Sequence, residues 1–157
     1  MAYDTLFDMR GKVVFAAGAG GAIGSKMARA VAAYGASVAI ADISADASSD
    51  VAAELRELGT DAIGVGINVT DEASVKAGVE VVEEQLGPID VLINSVGTHI
   101  EQPAEELTLE AWDTVLDVNL RGAFVLSQAV ARAIIEAGRP GSHIHVTSVR
   151  SALGIRR

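Results

Sequence analysis

Cysteine is absent from the 157-residue sequence. Disulfides and thiolate chemistry are therefore excluded, which suits a reducing compartment. Positive charge is scarce: 12 Lys and Arg stand against 21 Asp and Glu, a formal net charge of -9. A chain of that sign repels phosphate backbones and anionic membrane surfaces, which counts against nucleic-acid and lipid roles. The start, MAYDTLFDMRGK, lacks the basic and apolar regions of a signal peptide. The apolar run that follows is broken by glycines and ends at Ser25-Lys26, too short to span a bilayer. These absences predict a soluble, cytoplasmic protein. No linker, low-complexity stretch or repeat divides the chain, so residues 1–157 read as one domain. What the chain does have is apolar residues, 50% of the total, enough to exclude disorder and to bury a sheet between helices.

Short apolar runs alternate with longer amphipathic ones. Lys12 to Ala17, Ser37 to Ala41, Ala62 to Val69, Ile89 to Ser95 and Ser142 to Ser148 read as buried strands. Between them, Ala22 to Tyr34 has helical spacing and is stopped by Gly35, and Ala47 to Leu58 is stopped by Gly59. Thr70 to Leu86 reads as a helix with Thr70 as its N-cap and early acids Asp71 and Glu72, closed by Gly87-Pro88. Thr108 to Ala137 is a long helical stretch, followed by a turn at Gly138, Pro140 and Gly141. Strand and helix alternating in this way predict an α/β fold, a doubly wound parallel sheet of the Rossmann kind.

The segment VVFAAGAGGAIGSKMARAVAAYGASVAIADIS, Val13 to Ser44, holds five glycines and a single acid, Asp42. All but Gly35 fall at the corner between the first strand and the first helix, beyond the carboxyl end of the strand, where such sheets bind ligands. Glycine there permits positive φ and lets backbone N–H groups approach a phosphate, and the helix N-terminus adds partial positive charge. A pyrophosphate fits. Asp42, at the tip of the second strand, suits the ribose hydroxyls and repels a 2′-phosphate, so NAD is favoured over NADP. A glycine turn alone could simply connect two elements; turn, helix and strand-end acid in one βαβ unit point to a nucleotide.

The run Ala17-Gly18-Ala19-Gly20-Gly21-Ala22-Ile23-Gly24 resembles T-G-x-x-x-G-x-G, the fingerprint of short-chain dehydrogenases/reductases, with Ala17 for the threonine and Ala22 for the middle glycine. Further segments resemble the same family in order. Ile67-Asn68-Val69 is similar to the D-V pair after the third strand, which implies that Asn68 and Val69 meet the adenine. Asn94-Ser95-Val96-Gly97 is similar to N-N-A-G, which implies that Asn94 and Gly97 support the sheet near the nicotinamide ribose. Asp117-Val118-Asn119-Leu120-Arg121-Gly122, with Trp112 before it, resembles the segment bearing the catalytic Asn, which implies a proton-relay role for Asn119. Ile144 to Ser151 resembles the strand delivering the catalytic serine; Ser148 is the matching residue and Ser151 falls where a glycine is common. Together the resemblance implies cofactor contacts at Gly18, Gly20, Gly21, Ala22, Ile23, Gly24, Asp42, Asn68, Val69, Asn94 and Gly97, with Ser148 stabilising charge on the substrate oxygen.

The family's acid/base pair, Y-x-x-x-K, has no counterpart among these residues. The tyrosines are Tyr3 and Tyr34, neither placed for proton transfer. The resemblance therefore implies an oxidoreductase that moves a hydride between NAD(H) and an alcohol or ketone, inactive as this chain alone. The fold is expected to be truncated after its fifth strand, with the remainder cut away, supplied as a separate chain, or absent from a natural short form. A non-catalytic nucleotide-binding module is the alternative, and a methyltransferase shares the glycine turn and acid but not the later segments. Leu109, Trp112, Leu116, Leu120, Ala123, Ser127, Val130 and Ile134 form a stripe at helical spacing, expected to be core and, by the resemblance, to build a homo-oligomer face. An unpaired apolar sheet edge adds to the expectation that the chain is unstable or associated. His143 and His145 alternate on one strand, but no carboxylates gather to complete a metal site, so no metal is expected. His99 and Arg150 flank the region where a substrate would sit.

Overall fold

The computed structural model describes residues 6–149. At its centre lies β1 (Val13–Ala17), whose sequence VVFAA is buried at every position. A strand with no polar residue needs cover on both faces and a neighbour on both edges. β1 has both. It pairs in parallel with β2 (Ser37–Asp42) on one side and with β4 (Val91–Asn94) on the other. β3 (Ala62–Gly66) lies outside β2, and β5 (Ser142–His145) lies outside β4, also parallel. The order β3-β2-β1-β4-β5 reverses direction at β1, the switch point of a doubly wound sheet.

The alternation of side chains along β1 divides the core in two. Val14 and Ala16 face α1 (Ala22–Ala33) and α2 (Ala45–Glu57), packing with Ala28, Val51, Ala52 and Leu55. Val13, Phe15 and Ala17 face the opposite layer, where Val75, Val79 and Val82 of α3 (Glu72–Leu86) meet Leu126, Val130 and Ile134 of α5 (Ala123–Glu136). Phe15 is fully buried there, a burial that stabilises by about 2–3 kcal/mol. Between α3 and α5 the chain forms α4 (Leu109–Leu116) and a π-helical turn, Asp117–Gly122.

The amino edge of the sheet is fastened by one buried carboxylate. Asp90 accepts hydrogen bonds from the Val13 N–H at 3.0 Å, Lys12 Nζ at 3.2 Å and Arg139 Nη2 at 2.6 Å. Burial pushes its carboxyl up, but those three donors together outweigh burial and hold it below the usual aspartate range.

Several boundaries differ from the sequence reading, each for a local reason. β3 stops at Gly66 rather than Val69 because Asn68 turns the chain: its Oδ1 accepts from both the N–H and the hydroxyl of Thr70. Thr70 is thereby used, and the cap of α3 is Asp71, whose Oδ1 accepts from Ala73 and Ser74 N–H. α2 starts earlier than Ala47 because Ser44 caps it through Ala47 N–H. β5 ends at His145, so Ser148 lies beyond the strand rather than in it. The long helical stretch is not a single α-helix, since the π turn interrupts it.

The apolar stripe is core only in its second half. Val130 and Ile134 are buried, whereas Leu109, Trp112, Leu116 and Leu120 are exposed, joined by Phe124 at 63% exposure. By length and composition the stretch Leu109–Glu136 matches a membrane span, but its buried residues pack against the sheet and α3.

Candidate functional site

Helix starts differ in how they treat their free N–H groups. α2, α3 and α4 are capped by Ser44, Asp71 and Thr108 side chains, and each has an acid in its first turn. α1 has neither: its N-cap is Gly21 and no acid follows. Its first N–H groups and the positive end of its dipole are left facing the end of β1, an arrangement suited to an anion.

The turn that presents this helix is closely packed. Gly18 has φ 72°, a conformation that favours glycine. Gly24 is required for a different reason: a Cβ there would lie 2.3 Å from the Gly18 carbonyl oxygen and 2.6 Å from Ser95 Oγ. Gly20 abuts Asp42, whose Oδ2 accepts its N–H at 3.0 Å, while Oδ1 accepts from Ser44 N–H at 3.2 Å. Asp42 is thus locked against the glycine turn. Ala22, at the first helical position, adopts a conformation open to any L-residue, since no non-glycine residue among those described has positive φ.

A cleft of about 590 Å³ opens over this corner. It is lined by Gly18, Gly21, Ala22, Ile23, Gly24 and Asp42, by Asn68 and Val69 after β3, and by Gly97 after β4, all residues named from sequence. Ile43, Ile67, Ser95, Val96, Thr98 and Val118 complete the wall. These were missed because their only signal is position, adjacency to a strand end for most and the π turn for Val118. Among the described residues, no Lys or Arg lines the cleft. Gly20 and Asn94 stand behind the wall rather than in it. Asn94 is 3% exposed and sits in register with Ala17 of β1 and His145 of β5.

Asn119 does not offer its side chain to the cleft. Its Oδ1 accepts from Thr98 N–H and its Nδ2 donates to the Thr98 carbonyl, both at 2.8 Å. The amide therefore staples the π turn to the loop after β4. Gly122 closes the same turn against the cleft wall: a Cβ there would meet Val69 Cγ2 at 2.6 Å. Ser148 lies past the carboxyl end of β5, outside the cleft's lining. His99 is exposed and also outside the lining, while its neighbour Thr98 is part of it. Arg150 and Ser151 lie outside the described residues. Tyr34 caps α1 at the helix end away from the glycine turn and packs on Phe7, ring centroids 5.7 Å apart.

Known proteins share this fold. The D-threitol dehydrogenase of Mycolicibacterium smegmatis is 39% identical over 138 residues, 88% of this chain and 53% of that protein. The chain thus spans about half the length of this curated relative. A crystal structure of a short-chain type dehydrogenase/reductase from Mycobacterium marinum superposes with a TM-score of 0.93 at 33% identity, covering 98% of this chain and 62% of that one. A gluconate 5-dehydrogenase from Burkholderia cenocepacia, solved in complex with NADP and tartrate, gives a TM-score of 0.90 at 31% identity, covering 98% of this chain and 60% of that one. The sequence pattern described as short chain dehydrogenase matches residues 12–156, from β1 through the glycine turn, the Asn119 turn and β5, and on this ground the chain belongs to the short-chain dehydrogenase/reductase family.

Proposed function

We propose that this chain is the cofactor-binding part of an oxidoreductase that interconverts a secondary alcohol and a ketone with NAD(H), acting in the cytoplasm as a homo-oligomer. The observation that carries the reading is the uncapped start of α1 beside Asp42, in one cleft. A diphosphate would lie at the start of α1, on the N–H groups of Ala22, Ile23 and Gly24, since those of Gly18, Ala19, Gly20 and Gly21 are already given to Ala41, Asp42 and Gly18. Asp42 would accept from the adenine ribose. Its fixed carboxylate disfavours a 2′-phosphate, and among the described residues the lining has no basic one to offset that charge, which supports NAD over NADP. The Burkholderia relative was solved with NADP, so the choice must be measured.

When bound, the nicotinamide supplies or takes the hydride. The chain's own contribution is to orient it and to prepare the substrate oxygen. Ser148 would donate to that oxygen as charge builds. The Asn119 amide is spent on Thr98, so any part of Asn119 in proton transfer runs through its main chain. Neither tyrosine matches the family's acid/base in sequence, since Tyr3 and Tyr34 both precede the Asn119 and Ser148 segments, and Tyr34 ends α1 away from the glycine turn. The isolated chain therefore binds cofactor without turning over substrate. Relatives named for threitol and gluconate make polyols and sugar acids the first substrates to try with the full-length protein.

Titration calorimetry with NAD and NADP tests the reading directly. Micromolar to submillimolar binding of NAD, at least fivefold tighter than NADP, is expected as an order of magnitude. Equal affinity for the two overturns the role given to Asp42, and binding of neither overturns the nucleotide reading.

A further inference from the structure

His145 is joined to the cleft wall by a run of hydrogen bonds whose direction can be worked out atom by atom. Asn94 Oδ1 accepts the Val96 N–H at 3.0 Å, which sets the orientation of the amide and leaves Nδ2 as a donor. Nδ2 lies 3.4 Å from His145 Nδ1. On the far side of the ring, His145 Nε2 lies 3.3 Å from Ser127 Oγ. The Ser127 hydroxyl proton is already given to the Ala123 carbonyl at 2.7 Å, so toward the imidazole Ser127 is an acceptor. One assignment satisfies every contact: His145 neutral, protonated on Nε2 and bare on Nδ1. The order then runs from Val96 N–H to Asn94, to His145, to Ser127, to the Ala123 carbonyl, with each donor used once.

This run is a second link between the loop after β4 and the start of α5. Val96 lines the cleft. Ala123 opens α5 directly after the π turn, and Asn119 in that turn grips Thr98, also in the lining. The loop from Asn94 to Thr98 is therefore held at one end by His145 and at the other by Asn119. Asn94 is buried, so its Nδ2 would be left unmet without the imidazole, and a buried unmet donor is costly.

We infer that His145 is a positioning residue for the cofactor site: as a neutral acceptor it fixes Asn94, and through Asn94 the loop that forms one wall of the cleft. The inference rests on the nucleotide reading above. Protonation of the ring would set a second N–H against the Asn94 donor and open this end of the loop. The groups that meet His145 are Asn94 from β4, Ser127 from α5 and His143 from β5. Of these only His143 titrates, and its pKa is lowered, chiefly by desolvation and then by His145 itself.

The test is calorimetric titration with whichever of NAD or NADP the unmodified chain binds more tightly. His145→Leu keeps bulk but offers no acceptor, and should bind about tenfold more weakly. His145→Asn presents an amide oxygen close to where Nδ1 was, and should bind within about twofold of the unmodified chain. His143→Asn, measured alongside, should bind like the unmodified chain, since no hydrogen bond joins His143 to Asn94. If the unmodified chain binds neither nucleotide, the nucleotide reading fails and this inference with it. If it binds and His145→Leu binds as tightly, the inference alone fails. Should His145→Leu lack a cooperative melt, His145→Asn decides, and a loss of about tenfold in affinity in that variant despite its acceptor oxygen overturns the proposal.

Discussion

Single residues in this chain do opposite work at the two edges of the sheet. Asp42 is held by two backbone N–H groups at the carboxyl edge, where its charge faces the cleft. Asp42→Ala should weaken NAD binding by about tenfold and narrow any preference over NADP, read by titration of both. Asp90, at the amino edge, is 3% exposed and satisfied by Val13, Lys12 and Arg139. Because its folded pKa is lowered, its contribution is complete above the unfolded aspartate value, about 3.9, and drains as pH falls through the lower folded one. Asp90→Asn should therefore cost about 2 kcal/mol at neutral pH, with the deficit shrinking below about pH 4. Denaturant unfolding at both pH values measures it, and a deficit that grows in acid would contradict the assignment. Gly24 shows why glycine spacing can be read without knowing what each glycine does. Its identity is compelled by the Gly18 carbonyl and Ser95, a contact across elements that no local pattern announces.

At the level of elements, the π turn at Asp117–Gly122 is the feature on which the cleft most depends. Asn119 offers both halves of its amide to Thr98, and Gly122 lets the turn lie against Val69. Asn119→Ala should lower stability by about 1–2 kcal/mol and weaken nucleotide binding in parallel, since the same loop lines the site. Urea unfolding and calorimetry read the two effects; a loss of stability with unchanged affinity would place Thr98 outside the binding surface. The alternation of strands and helices was legible because apolar periodicity survives in any sequence that must bury a parallel sheet. The carboxyl ends of β3 and β5 were not, because polar side chains there decide where the ladder stops. Asn68 is the clear case: its bonds to Thr70 end β3 before the apolar Ile67 and Val69 would suggest. Most of the cleft was legible too, through Gly18, Gly24, Asp42 and Gly97, while Ser95, Val96 and Val118 carry no signal apart from position. Asn94 was recognisable as a support of the sheet, and its burial follows from its pairing with both β1 and β5.

On the scale of the whole molecule, the unexpected result is the bare upper half of the long helical stretch. A stripe at helical spacing reports that a face is apolar and not what covers it. Here Val130 and Ile134 are covered by the sheet and α3, but Leu109, Trp112 and Leu120 are exposed at 76%, 52% and 67%. β5 adds an edge whose four residues are all exposed. Surfaces of this kind associate. Size-exclusion chromatography of the chain should show dimers or larger species, and Trp112→Asp with Leu120→Asp should shift them toward monomer; a stable monomer of the unmodified chain would contradict this. The fastening at Asp90 lies on the edge of the sheet away from the glycine turn. That separation frees the loops of the other edge to acquire new chemistry over evolutionary time without unbuttoning the strands. An engineer seeking altered specificity should mutate those loops and leave the Lys12, Asp90 and Arg139 trio alone.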